Sequence, residues 1–400
     1  MYNKKIAQHV FMPLALAGAI AVASTPALAE IVLYDNDDTT FSTDGYVNAF
    51  YVNSDVDRAG DQFDRRQSRI KMGFLPNYIG FNMGKQIDGL KLGARASFWV
   101  TINDSDDNGT GTDIDVRQFY GTVSNSEWGE VLIGKDFGLF ARSNILLDEL
   151  LAGYGQVSDT LGLVDGGGVS FGNIGSGYPY PFPTSQITYR SPVMSGLRIA
   201  VGVMDPVDTN DNSALGKAYQ KNPRFESEVT YQVELGETKI YSWVNGMHQT
   251  SSNTDRSDIA GDDQSSKLRS KGVGYGVQVK HGGMSLTASG FKAKGINGLF
   301  TNNPGKANLR DIDSRGYLLQ GSYKFGANRI ALSTGRTRDD GNVLGNAAHY
   351  KTRGAAYFRT INDNLTLVAE YNQFDIDGRK GNSAMDEKTR TMALGAVLTW

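Results

Sequence analysis

The chain has 400 residues, with 40 basic and 43 acidic side chains, no cysteine, 48 glycines and 10 prolines. No basic excess is left to neutralise phosphates, which excludes a nucleic-acid partner, and without cysteine the fold is not held by disulfides. The 19 tyrosines and 18 phenylalanines, the many glycines and the lack of any spanning apolar run direct the reading to all-β structure.

The first element is not part of the fold. Lys4 and Lys5 precede an apolar stretch at 10–23, and Ala27-Leu28-Ala29 fits a small-residue cleavage site. Residues 1–29 therefore read as a cleaved signal peptide, because a spanning helix needs about 20 apolar residues. The remaining domain, 30–400, loses two lysines and no acid, leaving 38 basic against 43 acidic residues, a net charge of about −5.

Alternating runs follow at 45–53, 68–74, 90–102, 115–124, 130–137, 186–190, 196–204, 224–235, 238–249, 271–281, 284–293, 314–325, 329–336, 350–360, 364–374 and 388–400, 16 in all. In 68–74, Ile70, Met72 and Phe74 oppose Arg69 and Lys71. In 90–102, Leu92, Ala94, Ala96, Phe98, Val100 and Ile102 oppose Lys91, Arg95, Ser97 and Thr101. In 115–124 the outward face is expected to carry Gln118, Tyr120 and Thr122, which suit another subunit better than lipid. In the last run Met392, Leu394, Ala396, Leu398 and Trp400 share one face.

The connections alternate in length. Those at 54–67, 205–223 and 251–270 are long, while 191–195, 235–237, 281–283, 325–328 and 361–364 are short. Short turns on one side and long loops on the other are the pattern of a transmembrane β-barrel. A soluble sandwich would have to cover the same apolar faces with a second family of segments, and none exists. In lipid the hydrocarbon covers them, and closure satisfies every strand edge. The final run must then pair with the first, with Trp400 at the membrane interface as part of an aromatic girdle and of the terminal assembly strand.

Four stretches resemble the general trimeric porins of Gram-negative outer membranes: SRIKMGF (68–74), VRQFYGTVSNSEWGEVLIGKDFG (116–138), PTSQITYRSPVMSGLRIAVGV (183–203) and the final alternating strand. The glycine of 71–74 is displaced, Lys135 stands where Arg is commoner, and Trp400 stands where Phe is commoner. The resemblance implies a 16-stranded barrel, a homotrimer and an inward-folded third loop. It also implies a basic ladder of Arg69, Arg117 and Lys135 lining the constriction. Alternation independently points Arg69 inward, and Arg95 extends the ladder by the same logic.

The segment 138–184 is too long for a hairpin connection and too apolar, with Leu146, Leu147, Leu150, Leu151, Phe171 and Ile174, to wave in water. It is expected inside the barrel, with SNILLDELL at helical spacing behind a Ser143 or Asn144 cap. Asp148, Glu149, Asp159 and Asp165 would then face the basic ladder and set up a transverse field.

Two patterns lead elsewhere. Gly168-Val169-Ser170-Phe171-Gly172 matches G-x-S-x-G but follows a glycine run and precedes a proline-rich stretch rather than a helix, so no enzyme is expected. Asp104, Asp106, Asn108 and Asp115 have calcium-loop spacing between strands rather than helices. They read either as a solvated acidic loop or as a divalent-cation site shared with lipopolysaccharide phosphates.

The expected function is passive diffusion of ions and small hydrophilic solutes across the bacterial outer membrane, without a cofactor. Partners are two further copies of the chain, membrane lipid and lipopolysaccharide. A porin selective for one small anionic or carboxylated solute, or a barrel acting as an adhesin through its loops, are the alternatives.

Overall fold

In the computed structural model the described residues are 30–60, 63–104, 114–207, 218–253, 267–296, 298–299, 313–341, 347–379 and 381–400. The expected signal peptide at 1–29 lies outside them. The strands are β1 (Ile31–Asn36), β2 (Thr39–Arg58), β3 (Arg65–Lys71), β4 (Asn77–Ile87), β5 (Leu90–Val100), β6 (Asp115–Asn125), β7 (Gly129–Phe137), β8 (Pro183–Arg190), β9 (Leu197–Met204) and β10 (Ala218–Tyr219). They continue as β11 (Arg224–Leu235), β12 (Thr238–Asn253), β13 (Lys267–His281), β14 (Met284–Lys294), β15 (Asp313–Phe325), β16 (Asn328–Asp339), β17 (Ala348–Asn362), β18 (Leu365–Gly378) and β19 (Glu387–Thr399). A single helical turn, α1 (Arg142–Leu146), follows β7.

All belong to one 19-stranded sheet. β1 flanks only the start of β2, β10 adds two residues beside β12, and β3 and β4 pair in succession with the same strand, β2. Setting aside those three additions leaves the 16 positions of a closed antiparallel barrel. β19 closes it, running along β2 from Glu387 opposite Arg58 to Thr399 opposite Tyr46. Every expected run overlaps one of these strands, although 68–74 and 90–102 extend past the ends of β3 and β5, and β1, β4 and β10 lie outside the expected runs.

β4 went unread because the second wall strand is broken. After Lys71 the chain leaves the ladder, and Met72 and Phe74 are buried instead of joining Ile70, which is 63% exposed on the outer face. Their freed backbone groups find side chains and the lumenal loop: Met72 N–H donates to Asn103 Oδ1 (2.8 Å), Gly73 N–H to Asn48 Oδ1 (2.6 Å) and Phe74 N–H to the Gly153 carbonyl (3.1 Å). Pro76, which cannot donate to a ladder, ends the break.

Period-two alternation sorts the wall. Outward positions on β9, β13, β15 and β19 include Val201, Val203, Val273, Tyr275, Tyr317, Leu319, Met392, Leu394 and Leu398, all exposed. Their inward neighbours are polar or pack on the lumenal loop, among them Ser54, Gln278, Gln320, Glu370 and Thr391. The outward face of β6 differs from the expected one. There Phe119 is exposed, whereas Gln118 lies inside, donating to Asp136 and accepting from Arg95 (2.9 and 2.8 Å). A register shift is the reason: Ser97 pairs with Gln118 and Phe98 with Val116, leaving Arg117 as an extra residue.

Trp400 seals the closure. Its N–H and carbonyl exchange hydrogen bonds with Gly45 (3.2 and 2.8 Å), and its ring lies where a Cβ on Gly45 would stand, 2.1 Å from that position. Only glycine admits the indole there. Gly45→Leu is therefore expected to displace the ring, and Trp400→Asp to remove it, each costing on the order of 1–3 kcal/mol of closure. Semi-native electrophoresis should show less folded, heat-modifiable barrel for both; normal surface levels of both variants would refute the contact's role.

Candidate functional site

The segment between β7 and β8 runs through the barrel rather than around it. Its polar atoms reach inward-facing side chains on most of the wall. Three glutamates repeat one device, each accepting two consecutive backbone N–H groups. Glu226 takes Leu139 and Phe140 (2.6 and 2.9 Å), Glu370 takes Tyr154 and Gly155 (2.7 and 2.9 Å), and Glu387 takes Asp159 and Thr160 (2.8 Å each). A segment with few partners of its own inside a barrel needs such acceptors, because an unpaired buried N–H costs about 1–3 kcal/mol.

α1 is shorter than its spacing suggested. It starts after Ala141, whose φ of 64° is left-handed, and no side chain caps it. The expected cap residues sit inside the turn and serve the wall instead: Ser143 donates to Glu228 Oε1 (2.7 Å), and Asn144 Oδ1 accepts from Trp243 Nε1 (3.1 Å).

The loop acids separate into two groups. Asp159 and Asp165 lie against arginines of β2 and β3, of which only Arg69 belongs to the expected ladder. Asp159 is bound by Arg58 (2.9 Å) and Arg65, and Asp165 by Arg65 and by Arg69 (3.5 Å). Lys71 Nζ donates to the Leu163 carbonyl beside them (2.7 Å). Asp148 and Glu149 do not face that ladder; they turn to the opposite wall. Asp148 accepts from Tyr178 (2.6 Å), Asn173 (2.9 Å) and Gln320 (2.6 Å). Glu149 accepts from Ser285 (2.5 Å), Ser322 (2.9 Å) and Gln278 (3.2 Å), with Arg329 at 3.4 Å. Burial pushes the Asp148 carboxyl above its ordinary range, against the pull of these donors. Nothing in the sequence marked the loop's path, so it could not tell the two acid pairs apart.

The ladder is likewise redistributed. Arg95 points inward and is held by Asp44 (2.7 Å). Arg117 reaches the lumen through the β6 bulge, donating to the Tyr180 hydroxyl (3.1 Å) and lying 4.9 Å from the Trp99 ring centroid, with Asp115 at 2.7 Å. Trp99 stacks on Tyr78 (4.6 Å), over which Arg95 also lies (5.8 Å). Lys135 departs from the expectation. It alternates with outward Ile133 and pairs with exposed Phe119 and Ser185, so the register places it on the outer face. Sequence reading missed Arg58, Arg65, Glu226, Glu370 and Glu387, although inward parity marks each of them.

Of the possible cation loop, Asp106 and Asn108 lie outside the described residues, and Asp115 is engaged by Arg117. Among the described residues no cluster has metal-ligand geometry. Ser170 of the G-x-S-x-G pattern is buried, donating to the Gln156 carbonyl (3.1 Å) and accepting from Gly172 N–H (3.2 Å).

Glu370→Gln exposes the wall device to test. The amide keeps one acceptor and turns an NH₂ toward a backbone donor, loosening residues 154–155 by about 1–3 kcal/mol. Single-channel records should become noisier while the barrel's thermal midpoint changes little. Unchanged noise would mean that this glutamate does not hold the loop.

The sequence profile of a family described as Gram-negative porin matches residues 15–379. No curated protein matches the chain by sequence. Among solved structures the fold is similar to the outer membrane channel DcaP of Acinetobacter baumannii, with a TM-score of 0.65 at 15% identity over 92% of this chain and 100% of that one. It is also similar to an anion-selective porin from Comamonas acidovorans (TM-score 0.63, 14% identity, 90% of this chain and 100% of that one). OmpT of Vibrio cholerae, in a trimer form, gives a TM-score of 0.53 at 15% identity over 91% and 100%.

Proposed function

Since this chain belongs to the Gram-negative porins, and is a diffusion channel of the bacterial outer membrane, we propose that residues 138–182 and the arginines of β3, β5 and β6 set its passage for ions and small hydrophilic solutes. One observation carries this reading. The segment bonds to inward side chains of β3, β11, β12, β13, β14, β15, β16, β18 and β19, so a solute must pass beside it. Arg69 and Arg117 remain about a quarter exposed, at 26% and 21% of their side chains, and so meet what passes. In a low-dielectric constriction a fixed charge repels like ions more than it does in bulk water.

A narrower selectivity, for one small carboxylated solute, is favoured by the Arg95 and Arg117 corner. Two guanidinium groups there flank the Tyr78–Trp99 stack, a setting suited to a planar acid. The Comamonas relative is an anion-selective porin, in keeping with this choice.

Planar-bilayer recording tests the reading. Arg117→Gln should move the reversal potential toward cation preference, and shortening the 138–182 segment should raise single-channel conductance. Neutralising Asp148 and Glu149, which face the far wall, should disturb loop packing more than selectivity. Should Arg117→Gln and loop shortening both leave conductance and selectivity untouched, the constriction lies elsewhere. A barrel without any conductance would instead leave the adhesin reading standing. A swelling panel of neutral sugars against carboxylates separates general from selective diffusion.

A homotrimer is the second part of the proposal. Lys135 lies on the outer face beside Ile133, where an ammonium against lipid costs about 2–4 kcal/mol at the midplane but little against a polar group of another subunit. Unheated detergent extracts should therefore migrate as a trimer that heat dissociates; light scattering of a monomer in mild detergent would refute it. Residues 1–29 act as the export signal in this reading, so the exported protein should begin at Glu30 by N-terminal sequencing.

A further inference from the structure

The lumenal segment is packed against one side of the barrel. Val52, Phe358 and Val368 of the wall cluster with its Leu150, Tyr154 and Val157, and Met247 and Phe291 cluster with its Phe140. Inward apolar side chains set against an apolar loop make a dry core, close-packed like any protein interior. A solute that clears Arg95 and Arg117 is thereby directed along β6 to β9, where inward Tyr120, Thr122, Ser124 and Arg198 are half-buried.

Three guanidinium groups meet at the periplasmic end of that path. Arg190 lies opposite Glu130 on β7 and Ala200 on β9. Arg198, two residues before Ala200, shares its inward face, since Ile199 and Val201 are exposed outward. The electrostatic neighbours of Arg198 are Glu130, Arg190, Tyr241 and Arg142. Tyr120 lies directly opposite Arg95 and has Asp136, Arg95, Arg142 and Arg190 around it, so it joins the Arg95 corner to this cluster.

The acids present do not engage all of these donors. Arg190 is held by Glu130 (2.9 Å) and Asp136 (3.8 Å), while Arg142 uses Nη1 alone, on Asp136 and the Phe137 carbonyl (3.1 Å each). Glu228, the other acid beside Arg142, accepts from Ser143 (2.7 Å). Arg198 donates Nε–H to the Ser191 carbonyl (3.2 Å). Among the described residues, which include every turn at this end of β6 to β12, no carboxylate pairs with Arg198 and neither of its terminal nitrogens is bonded. A guanidinium carries five donors in a fork that fits a carboxylate through two parallel bonds.

We propose that Arg198, with the free edge of Arg142, forms a second carboxylate subsite in the periplasmic half of the lumen, taking the solute released from the Arg95–Arg117 corner. Two stations in series pass an acid down the path without either holding it tightly, as conduction requires. The inference rests on the carboxylate-selective reading of that corner, but its residues belong to β9 and the lumenal segment and are separate from those of the corner.

The test records chloride current through the purified full-length protein in planar bilayers, with sodium benzoate added to the periplasmic or the extracellular side. Benzoate should block from the periplasmic side, and its neutral isostere benzamide should not. R198Q should raise the half-blocking concentration about tenfold, through loss of one charge-assisted pair, with R198K in between. The chain has no cysteine, so R198C can be modified alone: a cationic thiosulfonate should restore block and an anionic one should not. T230D sets a tethered carboxylate directly opposite Arg198, should weaken block likewise, and serves if R198Q fails to fold. K388Q, on the outer face, should match the parent. R117Q should weaken block from the extracellular side and spare the periplasmic one. Unchanged block in R198Q and T230D overturns the subsite, as does equal weakening from both sides by R117Q, which would mean a single site. Calorimetric titration of benzoate in detergent reads the same contact without current. A non-conducting parent that loses benzoate affinity in R198Q refutes the channel reading alone. A parent that shows neither block nor binding heat, while R117Q still shifts its reversal potential, refutes the subsite alone.

Discussion

Backbone groups buried where the lumenal segment packs on the wall must find partners, and the arrangement of this protein follows from how that requirement is met. The wall satisfies itself through its ladders and its closure between β19 and β2. The segment that crosses the lumen has no ladder. Its donors are taken by Glu370 and Glu387, which set one oxygen against each of two consecutive N–H groups, and by Glu226, whose Oε2 takes both. A carboxylate is suited to this role because it only accepts and its charge strengthens each bond. The same glutamates fix where the loop lies, and with it which acids meet the arginines.

Departures from regular strand geometry place the charges that matter. The bulge at Arg117 turns a residue that strict alternation would assign differently toward Tyr180 and Trp99. The break after Lys71 brings Phe74 into contact with the lumenal segment and leaves Lys71 to hold its carbonyls. Both irregularities lie beside the proposed passage, in keeping with the tendency of bulges to re-aim side chains at functional sites.

The barrel was legible in the sequence because lipid on one side and water on the other impose a period of two on every wall strand. That period located all of the runs and pointed Arg69 and Arg95 inward. It failed where the physics is not periodic. β4 alternates well, with Ile79, Phe81 and Met83 outward, but Gly73 and Pro76 separate it from β3 and hide that both pair with β2. Family likeness places Lys135 in the ladder, although Ile133 and Val131, two and four residues earlier, already mark its face as outward. Asp148 and Glu149 went to the far wall because their partners, Gln320, Gln278 and Ser285, are distant in sequence and carry no local signal. Arg190 and Arg198 are visible one by one in their runs; their convergence with Arg142 needs the register and the path of the loop.

The lumenal segment also constrains the order of events during folding. The acceptors for Tyr154 and for Thr160 lie 216 and 227 residues further along the chain. Neither can be engaged until β18 and β19 stand in the wall, which places these contacts among the most non-local of the molecule. A barrel growing from its first strands therefore holds this segment undocked until the seam is nearly complete. Docking of the loop is then a late step that reports on closure, and a barrel that stalls before β18 lacks the carboxylates that hold residues 154–160 in the lumen.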